Sequence, residues 1–218
     1  MKYLVTPITP FASNVPGAEG ADKRIFTIAS EHSSLVLTLR DEPKFVQVPG
    51  TLSQISVAAD GSVWGVNKSH EIFRRTGSKW TKIPGRLMQI SVGSADHIWG
   101  VQSSGKIFRW TGENPLDPPE SRGSLWELIP GTLSQVVVAS DGTVWGVQGD
   151  RDIFFRRGDA WKKVSGSFRQ ISVGSRTNVW GVTGQTNVAV RSGNAWTKIL
   201  PEKFKSVSIA ADGSAWGI

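Results

Sequence analysis

Few residues of this chain are of a type that does bond-making chemistry. The three histidines, His32, His70 and His97, share no register and no metal-ligand spacing. There is no cysteine, which excludes disulfides and thiolate metal sites. No Gly-x-Ser-x-Gly, P-loop or dinucleotide fingerprint is present. The recurring acids Asp60, Asp141 and Asp212 each precede a glycine and read as turn residues rather than as a glycosidase pair. The expectation is a protein with no catalytic residues, no metal and no cofactor. What recurs is aromatic and cationic. Trp64, Trp99, Trp145, Trp180 and Trp216 each sit in a Trp-Gly dipeptide, and Arg75, Arg156 and Arg191 share a second position, which Trp110 takes in the remaining copy. An indole face stacks on a sugar or encloses a small apolar group, and a guanidinium donates to sugar oxygens. The glycine after each Trp would let a ligand approach the strand. The same tryptophans could instead be wedges packed between sheets. A second series, Trp80, Trp126, Trp161 and Trp196, fits an outer structural strand.

The elements that position these residues follow from their spacing. The Trp-Gly tryptophans are 35, 46, 35 and 36 residues apart, a period that marks a repeat architecture. Gln54, Gln89, Gln135, Gln170 and Ser206 each lie ten residues upstream of their Trp. One unit reads Gln-Ile-Ser-Val, turn, Val-Trp-Gly-Val, turn, Ile-Phe-Arg-Arg, turn, Trp-Thr-Lys-Ile and a Pro-Gly exit. Short β-branched and alternating runs, bounded by Gly, Asp, Ser and Asn, predict four antiparallel strands per unit. Asp60-Gly61 and its counterparts suit a two-residue hairpin turn. Four strands in about 35 residues make a propeller blade.

Five copies of the first strand are clear. Ile25–Ser30 reads as a degenerate sixth, with Leu35 at the Trp position and Phe45-Val-Gln-Val-Pro-Gly50 as its outer strand. The last copy stops at Ile218 after two strands. Tyr3-Leu4-Val5 and Phe11, with Val15-Pro16-Gly17, supply the missing pair. The prediction is an all-β, closed six-bladed β-propeller of four-stranded blades. Residues 1–218 form one domain, and its last blade is completed by N-terminal strands. The step of 46 places an insertion around residues 113–122, a surface loop by composition. Ala-Asp-Gly turns at residues 58–61, 139–142 and 210–213 alternate with Gly-Ser turns at 93 and 174, so odd and even blades differ there.

Composition narrows the partners. Among 218 residues, 39% are hydrophobic and ten are tryptophans, enough for a sizeable core and too apolar for disorder. The formal charge of +7 is spread as one or two Lys or Arg per unit, without a basic block, so a solubilising role is expected rather than nucleic-acid binding. The N-terminus carries two prolines and no long apolar run, a poor secretory signal, and no stretch has the roughly 20 apolar residues of a membrane helix.

From about Phe45 to Ile218, Val-Trp-Gly-Val followed by Ile-Phe-Arg-Arg-x-Gly-x-x-Trp-x-x-Ile-Pro-Gly resembles the tectonin repeat of fungal lectins. The resemblance implies a six-bladed propeller lectin for O-methylated glycans such as methylated mannose or fucose. It also implies a cytoplasmic protein of innate defence against bacteria and nematodes. Leu35 and the shortened first blade depart from the pattern. On this reading Trp64, Trp99, Trp145, Trp180 and Trp216 wall the methyl pocket, with Arg75, Arg156 and Arg191 as polar partners. Several similar weak sites gain strength through multivalency, and a homo-oligomer is compatible with that use. A protein-interaction propeller without a sugar site is the other reading, since the fold hosts both.

Overall fold

The structure, a computed structural model, describes residues 3–5, 24–30, 33–39, 48–112, 125–149, 151–198 and 203–218, the first three segments by their backbone. The described residues are strands and turns: β1 (Tyr3–Val5), β2 (Arg24–Ser30), β3 (Ser33–Leu39), β4 (Gln54–Val57), β5 (Val63–Val66), β6 (Glu71–Thr76), β7 (Lys79–Arg86), β8 (Gln89–Val92), β9 (Ile98–Val101), β10 (Lys106–Trp110), β11 (Trp126–Thr132), β12 (Gln135–Val138), β13 (Val144–Val147), β14 (Asp152–Arg157), β15 (Ala160–Ser167), β16 (Gln170–Ser175), β17 (Asn178–Val182), β18 (Val188–Ser192), β19 (Ala195–Lys198), β20 (Val207–Ile209) and β21 (Ala215–Gly217). From β4 to β19 they form four four-stranded antiparallel sheets, each a meander within one repeat. A three-stranded sheet has the order β1-β21-β20, with Tyr3 opposite Gly217 and Val5 opposite Ala215. These sheets belong to one compact unit, Met1–Pro7 with Thr51–Ile218.

The second unit, Ile8–Gly50, contains the β2–β3 hairpin. Leu35 lies opposite Ile28 there, whereas the β4–β5 register carried over to these residues would place Thr27 opposite it. The pairing, which ends with Ser30 opposite Ser33, is thus moved by one residue. Phe11, the Val15-Pro16-Gly17 exit, Phe45 and the insertion at 113–122 lie outside the described residues.

Turn chemistry explains most of the repeat, with two corrections. The Ala-Asp-Gly turn is a three-residue loop, not a two-residue one. Ala58 N–H donates to Ser62 C=O and Gly61 N–H to Ala58 C=O, with Gly61 at φ 84°, the expected form of a type I turn closed by a left-handed residue. Two-residue turns occur instead between the third and fourth strands, at Gly77-Ser78, Gly158-Asp159 and Gly193-Asn194. Pro84-Gly85 is not an exit either. It is a bulge inside β7, because Glu71 pairs Arg86 while Ile72 pairs Ile83.

The sheets are joined by side chains of the repeat motif. Gln54 donates from Nε2 to Ile90 C=O (2.8 Å) and accepts from Ile90 N–H (2.9 Å). Gln89 does the same to Val136, Gln135 to Ile171 and Gln170 to Val207, so each inner strand is held to the next. Ser56, Ser91 and Ser172 accept from Val92, Val138 and Ile209 N–H. Beneath the second strand, Leu52, Leu87, Leu133, Phe168 and Phe204 press against Gly65, Gly100, Gly146, Gly181 and Gly217, where any Cβ would collide with them. The glycine after each Trp is therefore filled from within the protein and makes no opening for a ligand.

The alternation of odd and even units has a physical cause. Asp60 Oδ1 caps Ser62 N–H in its own turn, and Oδ2 accepts from Ala95 N–H in the next unit (2.7 Å). Asp141 repeats this with Thr143 and Arg176. At the intervening junctions Gly93 and Gly174 lie so close to the Ala139 and Ala210 carbonyls that no side chain fits.

Backbone N–H bonds hold Asp60 below the ordinary carboxylate range. Burial raises Asp141, but the Thr143 and Arg176 N–H groups outweigh it and the net shift is downward. Ser214 lowers Asp212. A depressed folded-state value contributes stability above the unfolded-state value that is lost as pH falls through the folded one. Thermal stability is therefore expected to be flat from pH 7 to about 5 and to fall below about pH 4. An Asp60→Asn, Asp141→Asn double variant should show a shallower acid decline. An acid decline identical to the parent's would remove these staples from the account.

Candidate functional site

The tryptophans that sequence treats as equivalent are not equivalent in space. Trp64, Trp99 and Trp145 are 1%, 4% and 3% exposed, Trp180 is half-buried, and Trp216 is 60% exposed. The difference follows from what stands in front of each. A buried Trp meets the second Trp of the following sheet edge-on: Trp64 with Trp126 at 6.2 Å, Trp99 with Trp161 at 6.3 Å and Trp145 with Trp196 at 6.2 Å between ring centroids. The second Trp is fixed by its indole N–H. Trp126 donates to Pro84 C=O, Trp161 to Pro130 C=O and Trp196 to Ser165 C=O, each in the preceding sheet's bulge. This bulge-to-indole bond connects the Pro-Gly signal to the Trp one repeat later.

The third-strand arginines complete the arrangement. The Arg156 guanidinium lies 5.3 Å from the Trp99 ring centroid and 5.4 Å from that of Trp161. Arg191 lies 5.1 Å from Trp145 and 5.6 Å from Trp196. Two complete Trp–Arg–Trp clusters therefore bridge successive sheets, each cation–π contact contributing about 0.5–2 kcal/mol. Arg75 stands 5.6 Å from Trp80. In the junction between the first two of the four-stranded sheets, Trp110 takes the arginine's place and packs 5.1 Å from both Trp64 and Trp126. The shared position thus yields two Trp–Arg–Trp clusters, one Arg75–Trp80 pair and one three-tryptophan cluster among the described residues, the last with Arg74 of the adjacent strand position 5.8 Å from the Trp64 ring. It brings neither Trp180 nor Trp216 to such an arginine there.

Four buried polar atoms of these groups have no hydrogen-bond partner among the described residues: Arg75 Nη1, Arg156 Nη1, Arg191 Nη1 and Trp145 Nε1. All four are donors, and the three arginine atoms are repeat counterparts. Burial pushes the Arg156 and Arg191 guanidinium pKa values down, and Asp159 partly offsets this at Arg156. The clusters therefore hold cations beside aromatic faces with unused N–H groups; at Arg156 the exposed Asp159 carboxylate stands 3.4 Å from Nη2, while Nη1 has no described acceptor. Such a place suits an acceptor atom carried on an apolar group.

No cluster of three His, Asp or Glu able to hold a metal occurs among the described residues, and no described helix is long and apolar enough to cross a membrane. The inner-strand glutamines are visible in the sequence as a constant ten-residue offset, but nothing there assigns them a partner.

The sequence profile of the tectonin domain matches residues 18–218. Short stretches are similar to two curated proteins. Fish-egg lectin of Cyprinus carpio is 54% identical over 33 residues, 15% of this chain and 14% of that protein. Tectonin-1 of Physarum polycephalum is 56% identical over 34 residues, 16% of each chain. Each match spans about one repeat, a small part of either relative. Among solved structures, YCF48 bound to a D1 peptide superposes with a TM-score of 0.53 at 18% identity, over 85% of this chain and 66% of that one, a likeness of fold alone.

Proposed function

Because this chain belongs to the tectonin family, we propose that it is a lectin, and that it recognises O-methylated glycans as its resemblance to the fungal lectin tectonin 2 suggests. The observation that carries the sugar chemistry is the set of buried, unpartnered donors in the inter-sheet clusters. A methyl ether offers an oxygen that only accepts and a methyl that only packs. A hydroxyl at the same place brings a hydrogen that finds no acceptor among Arg and Trp donors. Burying the methyl contributes roughly 0.8 kcal/mol, and the unpaired hydroxyl costs about 1–3 kcal/mol. Together they separate methylated from plain sugar by tenfold or more. Arg75, Arg156 and Arg191 are the polar partners in this proposal. Trp64, Trp99 and Trp145 act from behind as walls, and Trp180 and Trp216 act from more open positions.

The reading includes binding without catalysis and glycans of bacterial or nematode surfaces as targets. It includes a cytoplasmic role in innate defence and several weak sites that work together. It also takes residues 1–218 as one closed six-bladed domain. Calorimetry with mannose, fucose and their mono-O-methyl ethers tests the central claim. The expected result is at least tenfold preference for an ether, with one site lost in Trp99→Phe while near-UV dichroism stays native. Equal affinity for ether and parent sugar would remove the methyl claim. An absence of glycan binding, with a stoichiometric protein partner in its place, would reverse the assignment.

A further inference from the structure

The two complete Trp–Arg–Trp clusters share a motif and differ in charge. In the cluster of Trp99, Arg156 and Trp161 the guanidinium meets a carboxylate from its own turn, since Asp159 Oδ1 accepts from Arg156 Nη2 at 3.4 Å. The preceding sheet adds an ion pair, Arg109 Nε with Glu127 Oε2 at 2.8 Å, whose two charges act on Arg156 in opposite directions. The formal charges of this cluster and its rim therefore cancel. In the cluster of Trp145, Arg191 and Trp196 neither acid recurs. Asn194 stands where Asp159 does, after the glycine of a two-residue turn, and exposed Lys162 stands where Glu127 does. Lys162 pairs across the strands with Phe155, whose ring lies 5.2 Å from that of Trp145. Among the described residues no acid forms an ion pair with Arg191.

The second cluster also holds more unused donors. Arg191 Nη1 and Trp145 Nε1 are both buried there without a described partner, whereas the first cluster has Arg156 Nη1 alone. Trp145 is 3% exposed, so water does not stand in for the missing acceptor. A carboxylate has two oxygens, accepts from two donors at once and carries the charge that complements Arg191 and Lys162. The same group brought to Arg156 would meet the like charge of Asp159 and compete with it for the guanidinium.

We propose that the Trp145–Arg191–Trp196 cluster is an acidic-sugar subsite that takes the carboxylate of a uronic acid, and that the residue after the turn glycine, Asp159 or Asn194, decides which cluster admits it. One carboxylate oxygen accepts from Arg191 Nη1 and the other from the Trp145 indole N–H, while Lys162 attracts from the rim. Asp159 keeps the Arg156 cluster for neutral sugars. This subsite rests on the lectin reading and divides the two clusters by the charge of the glycan each one takes.

Calorimetry at pH 7 and low salt, with the same mono-O-methyl ether of mannuronic acid and of mannose, isolates the carboxylate. One site of the parent should bind the uronate about fivefold or more tightly than the neutral ether, a preference that shrinks as salt is raised. Asn194→Asp should abolish the preference at that site. Asp159→Asn should create a second site that prefers the uronate. Both substitutions fall on exposed turns after glycines at φ 57° and 56°, and each installs the residue type that the other repeat already carries there, so the fold accepts them. A parent protein that binds neither ether overturns the lectin reading and the subsite together. Binding of the neutral ether with no site that prefers the uronate overturns the subsite and leaves the lectin standing. A preference that survives Asn194→Asp, with none gained in Asp159→Asn, overturns the assignment of the carboxylate to this cluster.

Discussion

A chain lacking residues 1–17 should unfold several degrees below the parent and aggregate at concentrations where the parent stays soluble. β1 pairs with β21 over three residues, Tyr3 with Gly217, Leu4 with Trp216 and Val5 with Ala215. Two or three backbone bonds at about 1 kcal/mol each are lost with it. For a domain of this size that corresponds to a fall of roughly 5–10 °C in Tm. The remaining edge would carry Trp216 and Ile218, already 60% and 69% exposed, on an unpaired strand, the arrangement that templates aggregation. The measurement is thermal unfolding with light scattering. A truncated protein as stable and as soluble as the parent would refute the proposal that N-terminal strands complete the last blade.

Strand positions are legible in the sequence because each repeats in register and each is bounded by turn residues. The sheets from β4 to β19 fall where Gln-Ile-Ser-Val, Val-Trp-Gly-Val, Ile-Phe-Arg-Arg and Trp-Thr-Lys-Ile occur. What each repeated residue touches is less legible, because its partner lies one repeat away. Gln54 and Ile90 are 36 residues apart, and no local pattern links them. Trp64 and Trp216 occupy the same repeat position, each before a glycine, and differ from 1% to 60% in exposure, since burial is set by the adjoining sheet. The glycine of Trp-Gly, which on sequence would admit a ligand, instead admits Leu52, Leu87, Leu133, Phe168 or Phe204. The turn aspartates are turn residues, as their Asp-Gly context predicts, but the second oxygen of Asp60 and Asp141, which reaches the next unit, has no sequence signature.

The candidate site is legible in part for the same reason. A substitution within a repeat is visible, and Trp110 stands out in the sequence because it occupies the arginine position. Its consequence depends on packing between sheets: at the junction holding Trp64, Trp110 and Trp126 the guanidinium between the two tryptophans is replaced by an indole, and the neighbouring Arg74 reaches only the Trp64 ring, at 5.8 Å, so the repeats are not alike there.

Gln89→Glu should destabilise the protein strongly at pH 7 and much less near pH 4.5. Gln89 Oε1 accepts from Val136 N–H at 3.0 Å, while Nε2 donates to the carbonyls of Val136 and Ile90 at 3.0 and 3.1 Å. Val136 is fully buried, so neither of its groups has water to turn to. A glutamate keeps the shape and the acceptor but places a second, charged oxygen against two carbonyls. The orphaned carbonyl costs about 1–3 kcal/mol, and the partly buried charge adds to it, for a total of about 2–4 kcal/mol and a fall of roughly 5–15 °C in Tm. Protonation restores an O–H donor aimed at Val136 C=O. Carbonyl neighbours and burial raise the folded-state pKa of this glutamate above its unfolded value of about 4.3. The stability gained by protonation is then complete below the unfolded value and lost as pH rises through the folded one. The recovery should appear between pH 7 and about 4.5, above the range where the turn aspartates begin to lose their own contribution. Denaturant unfolding of parent and variant across that range is the test. A deficit that does not change with pH, or no deficit at pH 7, would show that the glutamine bridge does not hold one inner strand to the next.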